Sequence, residues 1–236
     1  MTFKRSALSA AVLGAAVFSG SALAGVTANV GATSQYLFRG LEQTSGAAVS
    51  GGIDYAAESG LYVGTWASTI NFASASGTSS EVDIYGGFSG KAGDIGYDIG
   101  GIYYYYSEES EGGQDPDPSN NTLEIYGSVT FGPAKLGVNY SVSDYFAITD
   151  ETVIYPYLNL SFPIAEKATL DLHVGSQMFD EDVTLGGTTD DAFLDYSIGV
   201  SAAAGNGFSM GLAAIATDID EDDVKFVVSG KYSFEL

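Results

Sequence analysis

Apolar residues in this chain recur at every second position, and this alternation constrains the fold more than any other feature. Val26, Ala28, Val30, Ala32, Tyr36 and Phe38 share one parity, while Thr27, Asn29, Thr33, Gln35 and Arg39 share the other. The pattern returns repeatedly. Val49, Ile53 and Tyr55 oppose Ser50, Asp54 and Glu58. Val82, Ile84 and Phe88 oppose Glu81, Asp83 and Ser89. Leu123, Ile125, Val129 and Phe131 oppose Glu124, Tyr126, Ser128 and Thr130. Leu136, Val138 and Tyr140 oppose Lys135, Asn139 and Ser141, and Leu170, Leu172 and Val174 oppose Thr169, Asp171 and His173. Near the end, Val224, Phe226 and Val228 oppose Lys225 and Ser229. A period of two with one apolar face specifies a strand. Beyond the first two dozen residues, no apolar run approaches the roughly 18 residues that a membrane helix needs.

The segments give about twelve strands, most of the length a tilted membrane strand requires. The predicted spans are 26–39, 47–57, 61–72, 81–90, 95–106, 122–131, 135–145, 153–162, 168–178, 192–202, 208–217 and 224–236. Leu61–Phe72 mixes its faces and 153–162 carries Pro156. The connections alternate in length. Short ones fall at Glu58–Gly60, Lys91–Asp94, Gly132–Ala134, Pro163–Lys167 and Ala203–Gly207; longer ones fall at Ala73–Ser80, Ser107–Asn121, Phe179–Asp191 and Asp218–Asp223. Tight turns at one end and longer loops at the other are the habit of an outer-membrane barrel. A soluble β-sandwich also alternates, but has less reason to sort its connections by length. The expected fold is all-β: one antiparallel up-and-down transmembrane β-barrel of about twelve strands, closed because an open strand edge does not survive in hydrocarbon.

The first residues support export. Lys4 and Arg5 precede a mostly apolar or small stretch from Ala7 to Phe18, and Ala22-Leu23-Ala24 has the small-residue form of a cleavage site. The expected organisation is a signal peptide over 1–24 and a barrel over 25–236. Six basic residues would then remain (Arg39, Lys91, Lys135, Lys167, Lys225 and Lys231) against 30 acidic ones, a formal charge of −24. Such a surface repels phosphate, so nucleic acid is not an expected partner. Cysteine is absent, which excludes disulfides and thiolate metal sites. With 45% hydrophobic residues, the chain is too apolar for a disordered tail. No nucleotide-binding glycine loop or metal-ligand cluster is present, and no cofactor is expected.

Tyr36-Leu37-Phe38-Arg39-Gly40-Leu41, then Gly52-Ile53-Asp54-Tyr55, then Glu58 through Ser68 (ESGLYVGTWAS), form a recognisable series. Together with Asp98 through Tyr106 (DIGGIYYYY), they resemble the TorF family, proteobacterial outer-membrane proteins described as porins. The resemblance covers most of the chain after the leader and is strongest before Tyr106. It implies location and fold, and brings no catalytic residues.

Alternation places Arg39, Asp54, Asp83, Asp98, Glu124, Lys135, Asp171, His173, Lys225 and Lys231 on inward faces, where they would set the selectivity of a pore. Arg39, read as part of the first strand, would pair with Asp54 or Glu42. Acidic residues crowd the longer loops: Glu108, Glu109, Glu111, Asp115 and Asp117 in one, Asp180, Glu181, Asp182, Asp190 and Asp191 in another, Asp218, Asp220, Glu221, Asp222 and Asp223 in a third. They would concentrate cations at a pore mouth or hold divalent ions against lipopolysaccharide, or simply keep the surface solvated. Asp218 does not begin an EF-hand, because Asp223 and Ser229 stand where that loop needs Gly and Glu. Trp66, Tyr103 and Tyr105 suit membrane-interface girdles, and Tyr104 and Tyr106 the interior.

The expected function is a porin-like channel, cation-preferring and not an enzyme, passing small solutes or ions. Two alternatives stay open: a structural or adhesive barrel with a plugged lumen, and a barrel lipid hydrolase. The second rests on His173, the only histidine, beside Asp171; Ser176 has the opposite parity. Expected partners are outer-membrane lipid, lipopolysaccharide and the barrel-assembly machinery, which the alternating apolar ending Tyr232, Phe234, Leu236 would engage.

Overall fold

The computed structural model of the chain describes residues 24–71, 79–107, 120–146, 148, 150–219 and 223–236; the expected leader lies outside the described residues except for Ala24. The strands are β1 (Gly25–Thr33), β2 (Leu37–Phe38), β3 (Leu41–Glu42), β4 (Ala48–Ala56), β5 (Leu61–Thr69), β6 (Ser80–Ala92) and β7 (Ile95–Tyr106). They continue with β8 (Thr122–Phe131), β9 (Ala134–Ser141), β10 (Val153–Ala165), β11 (Ala168–Leu185), β12 (Thr188–Gly205), β13 (Phe208–Thr217) and β14 (Lys225–Glu235).

Twelve of these form one closed antiparallel barrel, each paired with its neighbours in sequence. Closure comes from β1, which pairs with β4 on one side (Ile53 opposite Ala28) and with β14 on the other (Tyr232 opposite Val30). The remaining two, β2 and β3, pair only with each other.

The side chains sort by parity, as a two-residue period requires. Large apolar residues stand exposed on the outer face, Phe226 at 72% and Val228 at 52% among them, with Ile53, Ile84, Ile99, Ile125, Leu136 and Ile198. An apolar exterior on a closed sheet is the signature of a lipid-facing wall. The opposite parity carries polar and charged groups and the buried aromatic residues.

Four expectations need correction. First, β1 ends at Thr33, and 34–47 leave the wall to fold inward as the β2–β3 hairpin. Tyr36, Leu37 and Phe38 are consequently buried inside rather than exposed to lipid. Alternation continues through Tyr36 and Phe38, but a hairpin alternates too, so period alone does not separate the two. Second, Asp180, Glu181, Asp182, Asp190 and Asp191 do not sit in a long loop. β11 and β12 run on to a two-residue turn at Gly186-Gly187, both at positive φ. That dipeptide is the natural hairpin turn, and a register irregularity between Met178 and Val183 accommodates the extension.

Third, β9 stops at Ser141, and Tyr145 turns inward instead of continuing the strand. Fourth, Trp66 is no girdle residue. It opposes Asp83 across the β5–β6 ladder and meets Tyr36 edge-on at 5.5 Å between ring centres. β5 mixes small and large residues on both faces, so its parity is weakly written.

The inward segments fill one end of the barrel. Phe38 packs edge-on against Tyr104 and Phe146, and Tyr145 against Phe146 and Phe179. Leu37 packs on Ala213 and Ile215 of β13. Burying Leu37 and Phe38 contributes roughly 1.5–3 kcal/mol each, which holds the hairpin down. Toward the short-turn end Asn29, Asp98, Lys135, Asn159, Asp171 and Lys231 are half-buried, while Tyr62 and Ser201, which donate to Asp98 and Asp171, are buried.

Candidate functional site: a guarded barrel interior

Arg39 occupies the tip of the β2–β3 hairpin, with φ 48° beside Gly40 at φ 78°. Gly40 is required twice over, by that φ and by its neighbour, since a Cβ there would stand 2.2 Å from Cγ2 of Thr217. The left-handed conformation of Arg39 itself costs about 1–3 kcal/mol. Its side chain offsets that cost. One guanidinium nitrogen pairs with Oε2 of Glu124 on β8 at 2.8 Å, and the other donates to the Tyr145 hydroxyl at 3.0 Å. The guanidinium carbon lies 4.0 Å from the centre of the Tyr155 ring on β10 and 4.8 Å from that of Phe38.

The carboxylate partner is therefore Glu124, not Asp54 or Glu42. Glu124 is 0% exposed, and Arg39 8%. Two further carboxylates, Glu81 and Asp83 on β6, are buried nearby on the same inner wall. The Tyr36 hydroxyl donates to Oε1 of Glu81 at 3.0 Å.

A second network adjoins this one. The Tyr155 hydroxyl donates to Asp195 on β12 at 2.7 Å, and Nε2 of His173 on β11 lies 3.1 Å from the same carboxylate. Nδ1 of His173 meets Oδ1 of Asn159 at 2.6 Å. The hydrogen bonds of His173 thus go to Tyr155, Asn159 and Asp195, and among the described residues no serine serves as its partner. Asp171 instead accepts from Ser161 and Ser201. A hydrolase needs a serine held against the histidine, and this geometry does not supply one.

The other predicted interior residues are spread along the wall. Asp54 accepts from Tyr85, and Asp98 accepts from Tyr62 at 2.7 Å. Lys135 is half-buried, its ammonium 6.0 Å from the Tyr157 ring centre, and Lys231 is half-buried on β14. Lys225 lies at the outer end of β14, where it pairs with Glu42 and Asp223 and so closes the hairpin against the wall. Among the acidic outer residues, Asp180 accepts from Thr152, and Glu181 and Asp182 are exposed. Glu108, Glu109, Glu111, Asp115, Asp117, Asp220, Glu221 and Asp222 fall outside the described residues.

Sequence reasoning missed Tyr145, Tyr155, Gln177 and Asp195. Asp195 follows from parity, since it shares the inward face of β12 with Phe193 and Ser197. The signal for Tyr145 is the apolar run Tyr145-Phe146-Ala147-Ile148 in a connection that would otherwise be polar.

Tyr155 lies flat against the wall because Gly175 faces it. A Cβ at Gly175 would stand 2.2 Å from the Tyr155 hydroxyl oxygen. Gly175→Ala is expected to displace the ring and destabilise the barrel by about 1–3 kcal/mol, the usual cost of overpacking. A lowered temperature of heat modification on gels would register it.

The fold and the lining together define a class: a closed twelve-stranded membrane barrel of porin architecture. A model of a family described as bacterial proteins of unknown function (Gcw_chp) matches residues 19–234, and the chain belongs to that family. A comparison with curated proteins gives no match. Among solved structures, the barrel is similar to the KdgM porin, with TM-score 0.56 at 10% identity over 88% of this chain and 99% of that one. It is similar also to the NanC porin, with TM-score 0.56 at 10% identity over 89% and 100%. The likeness extends to the KdgM porin in complex with disordered oligogalacturonate, with TM-score 0.56 at 9% identity over 89% and 99%. At these identities the likeness is one of fold.

Proposed function

We propose that this protein is an outer-membrane channel for passive passage of small solutes and ions, preferring cations, with its inward hairpin as the constriction. The observation that carries this reading is the lining. Behind an apolar exterior, the half-buried interior residues toward the short turns are polar and charged, a surface that a purely structural barrel has no reason to keep wet. The resemblance to the TorF family and the porin fold of the similar structures point the same way.

Cation preference is supported by the balance of inward charge. The inward carboxylates Asp54, Glu81, Asp83, Asp98, Glu124, Asp171 and Asp195 outnumber the inward basic residues Arg39, Lys135, Lys225 and Lys231, while the half-buried members toward the short turns, Asp98 and Asp171 with Lys135 and Lys231, balance. The exposed acidic residues on the β11–β12 extension add to it and are candidates for divalent ions shared with lipopolysaccharide.

A second reading, a structural barrel with a sealed lumen, is favoured by the hairpin and the aromatic residues packed around it. Fractionation is expected to recover the folded protein with outer membranes, with heat-modifiable mobility; recovery as a soluble periplasmic monomer would refute the location. Reversal potentials under a salt gradient are expected to show cation preference, weakening as salt screens the charges. Anion preference at low ionic strength would refute the selectivity.

A further inference from the structure

The surroundings of Arg39 are built without its help. Glu124 is held by Asn139, which donates to Oε2 at 2.9 Å, and Tyr145 by its donation to Oε1 of Gln177 at 2.6 Å. Tyr155 is held by Asp195 and His173. All of these partners lie on the barrel wall or its inward loop, whereas Arg39 arrives on a two-stranded hairpin that pairs with no wall strand. The arrangement is a preformed cage: one carboxylate, one hydroxyl acceptor and an aromatic face. Oε1 of Glu124 is buried and has no hydrogen-bond partner among the described residues, so the cage holds acceptor capacity that Arg39 does not use.

We infer that this cage is a binding site for organic cations bearing a guanidinium group, and that Arg39 is its tethered resident ligand. The inference rests on the channel reading for its physiological meaning but not for its test. A guanidinium is planar and weakly hydrated. It loses less than an alkali ion on leaving water, lies face-on to Tyr155, and offers several donors in one plane to Glu124 and Tyr145. A solute of this class entering the lumen competes with Arg39. Binding of the solute releases the hairpin, so the constriction opens to the cation that the interior recognises.

The test uses the folded, full-length barrel with Arg39→Ala and the double variant Arg39→Ala/Glu124→Gln. Methylguanidinium is the probe, with sodium at equal ionic strength as reference. In Arg39→Ala, methylguanidinium at about 10 mM is expected to raise the temperature of heat modification, because a ligand of the native state stabilises it. Sodium should not do so. Adding Glu124→Gln is expected to weaken the apparent affinity roughly tenfold or more, the factor that a charge-assisted hydrogen bond carries.

Equal responses to methylguanidinium and sodium, or a response unchanged by Glu124→Gln, would overturn the assignment. If Arg39→Ala is not recovered as a heat-modifiable barrel, Arg39→Met, which keeps an apolar stem, takes its place under the same criteria. Bilayer recordings separate the two readings. Binding without any current in the wild type refutes the channel and keeps the cage; current without methylguanidinium binding refutes the cage and keeps the channel.

Discussion

Val228→Lys is expected to impair folding or insertion, whereas Ser229→Lys leaves a folded barrel. The two residues are neighbours on β14 with opposite outlooks. Val228 stands on the outer face opposite Leu212, itself exposed, while Ser229 lies between Gly211 and Thr33 on the inner face. A lysine near the midplane of the lipid face costs roughly 2–4 kcal/mol, while a lumen position mainly tunes selectivity. That cost is a large fraction of the net stability of any domain. Refolding into liposomes, followed by heat-modifiable mobility, would compare the variants. If both insert equally, or if Ser229→Lys is the damaging one, the inside and outside of β14 are reversed. A one-residue slip would produce that reversal.

Glu124→Ala is expected to release the hairpin while leaving the barrel intact. Removing one partner of a buried ion pair typically costs about 3–5 kcal/mol, because the remaining charge is stranded. Opposing release is the packing of Leu37 and Phe38, at roughly 1.5–3 kcal/mol each; favouring it are that stranded charge and the backbone cost at Arg39 of about 1–3 kcal/mol. The two sides are comparable, so the cheaper response is to return Arg39 to water. Trypsin provides the readout. The Arg39–Gly40 bond, buried in the wild type, becomes cleavable in the variant and yields a fragment ending at Arg39. Resistance equal to the wild type would show that packing, rather than the ion pair, holds the hairpin.

The barrel was legible from alternation and from connection length, since both are direct consequences of a sheet with lipid on one side and water on the other. Parity located Asp54, Asp83, Glu124 and His173 on inner faces for the same reason. What parity does not encode is where the chain leaves the wall. Phe38 continues the alternation of β1 perfectly well, and only its packing against Tyr104 and Phe146 reveals the hairpin. Pairing across the lumen is equally silent in sequence. Arg39 and Glu124 are 85 residues apart and meet because β8 passes beneath the hairpin tip. The long β11–β12 hairpin was written in Gly186-Gly187, but its density of acidic residues reads as a loop. Charged side chains on an extension beyond the membrane face water on both sides, so the apolar signal of a strand is lost there.

The measurement that bears most directly on the channel is single-channel recording in planar bilayers, comparing the wild type with a variant in which residues 36–43 are replaced by a short Gly-Ser link. The barrel wall does not include this segment, so the variant retains all twelve strands. Discrete cation-selective steps, larger in the variant than in the wild type, are the predicted result. A folded variant that passes no current would contradict the account and leave a sealed structural barrel in its place.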